Sequence, residues 1–442
     1  MLFPHELCQI LEKLEVAGFS AFVVGGAVRD LLLGKIPQDW DVATSARPED
    51  ILALFAEEAL PTGLKHGTVT VVVNSFSAEI TTFRCDGAYT DHRHPVQVTF
   101  SSDLTEDLAR RDFTVNAMAM DQHGTLWDPY GGKADLDSGI LRCVGNPHHR
   151  FAEDALRIMR CLRFSSQLGF SIESFTREAL LSHCGELNKI SVERLSQEMT
   201  KLLCGENVQD VLLAFPRVFG VFIPEILPCV HFPQPNPHHI FDVWEHITRT
   251  VAAVPPQPVL RWSALIHDLG KPSCFSLDEE GTGHFRGHGD VSASMAENIC
   301  RRLRFSSEMC RKIVLLVAWH DQDIPRTKTG ILCALHSLGT EAFFALCQLK
   351  RGDHLAQNPS FFSSLSEIEK GEQLAQQLLE ENACFSLSGL AVNGNDLLAL
   401  GYTGAEIGQK LEELLHHVIC GTLPNEKSLL LQSLNNMDPS AG

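Results

Sequence analysis

A change of hydrophobic period near residue 148 constrains this chain more than any other feature. Before it, short β-branched runs alternate with helical patterns; beyond it only the helical period remains. Ala21-Phe-Val-Val-Gly25 has the length of a buried strand, and a helical pattern follows over 26–33. Thr68-Val-Thr-Val-Val-Val73 and Ala78-Glu-Ile-Thr-Thr-Phe-Arg84 flank Asn74-Ser-Phe-Ser77, which is a hairpin signature. Residues 96–100 read as another strand, and 48–55 and 103–110 as helices. The later helices are predicted over 151–167, 171–182 and 192–203. A Pro-rich break covers 224–237, and helices then run to the end with loops at 255–256 and 281–289. The fold class is α+β: a small mixed-sheet domain followed by an all-helical remainder. At 442 residues the chain exceeds one core, and two to four domains are expected.

Composition narrows the class. Fourteen cysteines without one CxxC pair fit free thiols in a reducing compartment. No apolar run reaches the ~20 residues of a membrane span. The first ten residues carry Glu6 and no Lys or Arg, unlike a secretory signal. The expectation is a soluble, cytoplasmic protein with no membrane partner. A net charge of −19 argues against a nucleic-acid partner only globally, because residues 301–312 carry five bases and one acid.

Several motifs carry chemistry. Gly25-Gly26 stands between a strand and a helix, where backbone N–H groups can cradle phosphate, and Arg29 can point back at the same anion. Asp39 and Asp41 share one face of an extended Gln38-Asp-Trp-Asp-Val42. Paired carboxylates repel unless a cation lies between them, and Mg²⁺ favours carboxylate plus phosphate oxygens. Glu79, in an otherwise apolar and Thr-rich strand, reads as an edge-strand charge or as a third metal carboxylate. In Arg110-Arg-Asp-Phe-Thr-Val-Asn116, Arg111 can hold a triphosphate, and Asp112 or Asn116 can read a ribose hydroxyl. Asp154, Arg157, Arg160 and Arg163 recur at helical spacing, either as a surface ion-pair stripe or as groups facing a nucleobase and phosphates.

Taken in order, Val24-Gly-Gly-Ala-Val-Arg-Asp30, Asp39-Trp-Asp41, the 110–116 run, Glu153-Asp-Ala-Leu-Arg157 and Ile190-Ser-Val-Glu-Arg194 strongly resemble class II tRNA nucleotidyltransferases, the CCA-adding enzymes and their poly(A) polymerase relatives. The resemblance implies a polymerase-β-like head over 1–140, a helical neck over 141–204, a helical body over 205–370 and a helical tail over 371–442. It implies Mg²⁺ on Asp39 and Asp41 with Glu79 as third carboxylate, and triphosphate contacts from Gly25, Gly26, Arg29 and Arg111. Asp154 and Arg157 would act as a protein template for CTP and ATP, with Arg160 and Arg163 completing the pocket. The implied partner is tRNA, held along its acceptor and TΨC arms; monomer and dimer both remain open. Residues 84–93 match the family's flexible loop. Lys65-His-Gly-Thr-Val-Thr70 resembles the CCA-adding side, while a CC-adding or A-adding half of a split system shares the same motifs.

A second set comprises His246, His267-Asp268, His288 and His320-Asp321. Imidazoles with a carboxylate suit a transition metal. Over about 238–350 the set resembles the HD metal-phosphohydrolase domain, which implies a second metal site and makes an HD phosphohydrolase with an RNA-positioning head an alternative. Asp321, Asp323 and Asp353 compete for the last ligand position.

Overall fold

The computed structural model describes residues 3–64, 67–86, 98–361 and 363–437. The chain forms two compact units, dividing between Pro224 and Glu225. No single helix among the described residues is long and apolar enough to cross a membrane.

The first unit opens with α1 (His5–Val16), which buries Leu7, Ile10, Leu11 and Leu14 at i, i+3, i+4 and i+7. Next come β1 (Ala21–Val24), α2 (Gly26–Leu32), β2 (Asp41–Thr44), α3 (Pro48–Phe55), β3 (Ala59–Gly63), β4 (Thr68–Val73), β5 (Phe76–Thr82), β6 (Arg84–Asp86) and β7 (Val98–Phe100). After α4 (Leu104–Ala109) come β8 (Ala119–Met120) and β9 (Leu126–Trp127). Seven strands form one mixed sheet in the order β3-β4-β5-β2-β1-β8-β9, and β6 and β7 pair separately. The expected hairpin is β4–β5, and its turn is tighter than the sequence suggested. Asn74 and Ser75 both take positive φ (46° and 73°), the conformation a two-residue hairpin turn requires. Trp40 is buried, edge-on to Phe3. Parts of the 65–70 and 96–100 expectations, and most of the 84–93 loop, lie outside the described residues.

Helices α5 (Gly132–Asp137), α6 (Pro147–Glu153), α7 (Leu156–Leu168), α8 (Ser174–His183), α9 (Val192–Leu203), α10 (Val208–Ala214) and α11 (Pro216–Phe219) complete the unit. The single helix expected over 151–167 is broken at Asp154. Its backbone is extended (φ −141°, ψ 104°), and its carboxylate accepts the Leu156 N–H, so it caps the turn that starts α7.

The second unit is helical: α12 (Val243–Ala253), α13 (Pro258–Ile266), α14 (His288–Arg302), α15 (Ser307–Trp319), α16 (Lys328–Leu338), α17 (Thr340–Leu355), α18 (Ser363–Glu380), α19 (Gly394–Ala399), α20 (Ala405–Ile419) and α21 (Lys427–Met437). A two-stranded pairing, Ser276–Leu277 with Gly283–His284, occupies part of the region read as loop. Near the C-terminus Val392, Leu397, Leu414, Leu430 and Leu434 form a small apolar core of their own.

Candidate active site and a second histidine cluster

In the first unit, parallel pairing of β2 with β5 sets Asp41 opposite Glu79, while β1 flanks Asp41 on its other side. Asp39 lies two residues upstream, beyond the buried Trp40. The Asp41 carboxyl is pushed up from its usual range. The pocket wall around it acts first, opposed by Arg111, and repulsion from Glu79 and Asp39 adds to the rise. Such a rise marks carboxylates whose mutual repulsion lacks a neutralising cation.

Gly25, with φ +71°, turns the chain from β1 into α2. A Cβ there would lie 2.9 Å from Arg111 Nη1, so only glycine lets that guanidinium close on the turn. Asp107, fully buried on α4, orients it by accepting from Arg111 Nη2 (3.1 Å) and Arg110 Nη2 (2.7 Å).

A second chain of bonds ties the sheet to α7. Arg29 Nη1 donates to Asn116 Oδ1 (2.7 Å), Asn116 Nδ2 to Asp112 Oδ1 (3.0 Å), and Arg160 Nε to Asp112 Oδ2 (2.7 Å). Burial alone would raise the Asp112 carboxyl, but Arg160, Asn116 and the Phe113 N–H bring it down to about 2. The Phe164 ring lies beneath three guanidiniums, those of Arg163 (3.9 Å), Arg29 (5.0 Å) and Arg160 (5.5 Å).

The break at Asp154 aims its carboxylate into the same cleft, where Arg194 Nη2 donates to it (3.0 Å). Arg157 pairs with Glu153, not with Asp154, and donates to the carbonyls of Arg150 (2.9 Å) and Arg110 (3.0 Å). Arg163 pairs with the buried Glu198 of α9 (2.6 Å). Asp107, Glu153, Arg194 and Glu198 were given no role from sequence. The i, i+3 and i, i+4 spacing of Asp107 to Arg110 and Arg111 was a readable signal; the α9 partners left none.

The cleft holds about 760 Å³. Of the residues singled out in sequence, Gly25, Gly26, Arg29, Asp39, Asp41, Arg111, Asp112, Asn116, Asp154, Arg157, Arg160 and Arg163 line it, and Glu79 does not. Eight of the lining residues are basic and five acidic, so a chain of net charge −19 presents a cationic cleft here. Asp39 and Asp41 fit a Mg²⁺ ion that takes two carboxylates and completes its shell with phosphate oxygens and water.

The second unit gathers the histidines. His246 lies on α12, His267 and Asp268 directly after α13, His288 at the first turn of α14, and His320 directly after α15. Gly270 makes this approach possible, since a Cβ there would meet the His288 carbonyl at 2.8 Å. Each of the four imidazoles has Nδ1 against a backbone carbonyl: Ala356 (3.3 Å), Ala264 (2.7 Å), Phe285 (2.8 Å) and Val317 (2.6 Å), respectively. A carbonyl only accepts, so Nδ1 carries the proton and Nε2 turns inward, the arrangement of a metal-ligating histidine. Asp268 Oδ2 is buried without a well-aligned hydrogen bond, although Lys271 Nζ lies 2.6 Å away. Burial lowers the His267 imidazole, but Asp268 and Asp353 override it and bring it up to about 10: the two carboxylates demand positive charge here.

Asp353, from α17, reaches His246 Nε2 at 2.9 Å. Asp321 does not join the cluster. Its side chain is 63% exposed and its nearest imidazole contact is 3.9 Å, to His288 Nδ1, the wrong face of that ring. Asp323 is exposed as well. Among the described residues, His246, His267 and Asp268 form one group with converging donor atoms, and Asp268, His288 and His320 another.

Comparison with known proteins agrees with both halves of the chain. Residues 21–142 match the poly A polymerase head domain, 169–226 the probable RNA and SrmB-binding site of polymerase A, and 288–434 the putative tRNA nucleotidyltransferase domain 2. The CCA-adding enzyme of Leuconostoc mesenteroides subsp. mesenteroides is 33% identical over 428 residues, covering 95% of this chain and 93% of the relative. That of Geobacillus thermodenitrificans is 51% identical over 203 residues, 46% of this chain, and the matched stretch spans about half (50%) of that relative. Among solved structures, the Bacillus stearothermophilus CCA-adding enzyme in complex with CTP superposes with a TM-score of 0.72 at 30% identity, over 98% of both chains. The Thermotoga maritima CCA-adding enzyme complexed with tRNA shares the fold, with a TM-score of 0.56 at 20% identity over 98% of this chain and 95% of that one. A relative alike over nearly its whole length, joined to a cleft built from the motifs themselves, places this chain in the CCA-adding enzyme family of tRNA nucleotidyltransferases.

Proposed function

We propose that the chain adds CCA to the 3′ end of tRNA from CTP and ATP, in the cytoplasm, where its fourteen free thiols fit a reducing medium. One observation carries the reading: a single cationic cleft holds Asp39 and Asp41 together with Asp154 and Arg157. Residues 1–140, 141–204, 205–370 and 371–442 serve as head, neck, body and tail.

In the reaction the tRNA 3′-hydroxyl oxygen bonds to the α-phosphorus, the α–β anhydride breaks in line, and pyrophosphate leaves. Asp39 and Asp41, with Glu79 as third carboxylate, would hold Mg²⁺, which supplies a Lewis acid to the attacking hydroxyl and the leaving pyrophosphate. Arg29 and Arg111 bind the triphosphate beside the Gly25-Gly26 turn. Asn116 and Asp112 keep Arg29 and Arg160 in place and border the ribose. Asp154 offers an acceptor to the exocyclic amino group that C and A share; G and U present a carbonyl at that edge, which an acceptor repels. Arg157, its plane fixed by Glu153 and two carbonyls, donates beside it.

Incorporation of each labelled nucleotide into tRNA transcripts ending at the discriminator base, at C and at CC tests the reading. Two C additions then one A are expected. Addition of C alone or A alone would make the chain half of a split system, and repeated A addition to any RNA would make it a poly(A) polymerase.

A second reading concerns the body. The four inward Nε2 atoms and the unsatisfied Asp268 oxygen support a transition-metal centre of HD type at His246, His267, Asp268, His288 and His320, with Asp353 as the closing carboxylate.

A further inference from the structure

The donors of the body cluster divide between the two oxygens of Asp268. Oδ2 faces His246 Nε2 (3.1 Å) and His267 Nε2 (3.2 Å), with Asp353 Oδ1 lying 2.9 Å and 3.8 Å from those same nitrogens. Oδ1 faces His288 Nε2 (3.2 Å) and His320 Nε2 (3.6 Å), which stand 3.1 Å apart. Donors about 2.1 Å from a tetrahedral ion stand roughly 3.4 Å from one another, and both sets cluster around that spacing.

The two sets differ in access. His246 and His267 have no exposed surface. His288 and His320 line a cavity of about 560 Å³, whose wall also carries Lys271 and Arg286. The inner set offers four protein donors, which closes a tetrahedral shell. The outer set offers three, which leaves the shell open toward the cavity.

We propose that this unit holds two divalent transition-metal ions bridged by Asp268: an inner ion closed by His246, His267 and Asp353, and an outer ion on His288 and His320 whose open side takes a phosphate-type oxyanion. The proposal rests on the reading of the cluster as a metal centre. Lys271 and Arg286 supply the cationic wall for the oxyanion. The inner ion fixes the bridging carboxylate, so the outer shell is pre-shaped before any anion enters.

The first measurement needs no variant. The full chain is stripped with chelator, dialysed against Zn²⁺ in excess Mg²⁺ so that the head carboxylates stay with Mg²⁺, and its zinc is counted by atomic emission. Two Zn²⁺ per chain are expected. His288→Ala and His320→Ala should each retain one, as should His246→Ala and Asp353→Asn, with circular dichroism confirming the fold of each. One Zn²⁺ in the wild type, lost from variants of either set, would overturn the two-ion proposal while leaving a metal centre in place. No Zn²⁺ at all would remove both. In the Co²⁺-loaded chain, inorganic phosphate should shift the visible absorption, and Arg286→Ala should weaken that response about tenfold without changing the metal count. An absorption spectrum indifferent to phosphate would overturn the oxyanion assignment.

Discussion

Replacing Arg160 by Met tests the ionic clamp on which the nucleotide cleft is built. Asp112 is 7% exposed and accepts from the Phe113 N–H (2.9 Å), Asn116 and Arg160. Its carboxyl falls from an ordinary 3.8 to about 2, which amounts to roughly 2 kcal/mol of stability at neutral pH. Arg160→Met leaves that carboxylate buried without its counter-ion. Breaking a buried pair this way costs about 3–5 kcal/mol, and the 36% exposure of the Arg160 side chain lets water offset part of it, so about 3 kcal/mol is expected. Asp112→Asn combined with Arg160→Met should recover at least ~1 kcal/mol, because the amide keeps an acceptor for the Phe113 N–H and carries no charge. Hydrogen exchange of the slowest amides in β1 and α7 reads the opening free energy of the first unit directly. The sign with pH is also defined. A depressed carboxyl contributes its stability above its unfolded value near 4 and loses it as pH falls through about 2, so Asp112→Asn should flatten that acid limb. An Arg160→Met protein within ~1 kcal/mol of wild type at neutral pH, or no less stable than the double variant, would refute the clamp.

Four further outcomes are expected. Asp41→Ala should retain less than about a hundredth of wild-type CTP incorporation, since a lost metal ligand removes several kcal/mol of transition-state stabilisation. Gly25→Ala should lower thermal stability by about 1–2 kcal/mol and raise the KM for CTP, because its Cβ strains a φ of +71° and meets Arg111 at 2.9 Å; Gly26→Ala, whose nearest contact is 3.5 Å, should be milder. Arg194→Ala frees the Asp154 carboxylate, and competitive incorporation should show GTP and UTP gaining on CTP, with Arg194→Lys recovering part of the discrimination. Finally, kcat/KM for tRNA should fall linearly in log–log plots against KCl, each displaced duplex counterion contributing a slope of about −0.9; a flat profile would exclude a backbone-tracking neck and body.

Local chemistry made much of the first unit readable. Helix α3 occupies the range its pattern predicts, because Pro48 opens it and Asp50 reaches back to the Arg47 N–H. The β-branched run of β4 and the turn after it found their partner within a few residues. Helix α1 was overlooked even though Leu7, Ile10, Leu11 and Leu14 display the full helical period. The break at Asp154 was hidden for a different reason. Its flanks are good helix formers, and the Arg194 that holds its carboxylate comes from 40 residues downstream. The motifs therefore identified the cleft residues, while the bonds that orient them, Glu198 to Arg163 and Arg194 to Asp154, depend on how α9 packs on α7.

The histidine cluster shows where local pattern stops deciding. His267-Asp268 and His320-Asp321 are the same dipeptide, each placed directly after an apolar helix, yet Asp268 is 2% exposed at the side chain and Asp321 63%. The residues immediately after each pair make the difference. Leu269-Gly270 is apolar and small: the Gly270 N–H donates to Ser292 Oγ (3.0 Å), and the missing Cβ lets the turn lie against the start of α14. Gln322-Asp323 is polar and exposed, so that turn faces water and carries Asp321 with it. Only then does a distant carboxylate, Asp353 on α17, fill the place beside His246. The downstream residues thus sort the two pairs, and Gly270→Ala should separate their roles. The added Cβ, 2.8 Å from the His288 carbonyl, should loosen the outer set first, so zinc should fall from two per chain to one while the inner set, made by α12, α13 and α17, keeps its ion. Equal loss from both sets would mean that Asp268, not the approach of α14, is what Gly270 protects.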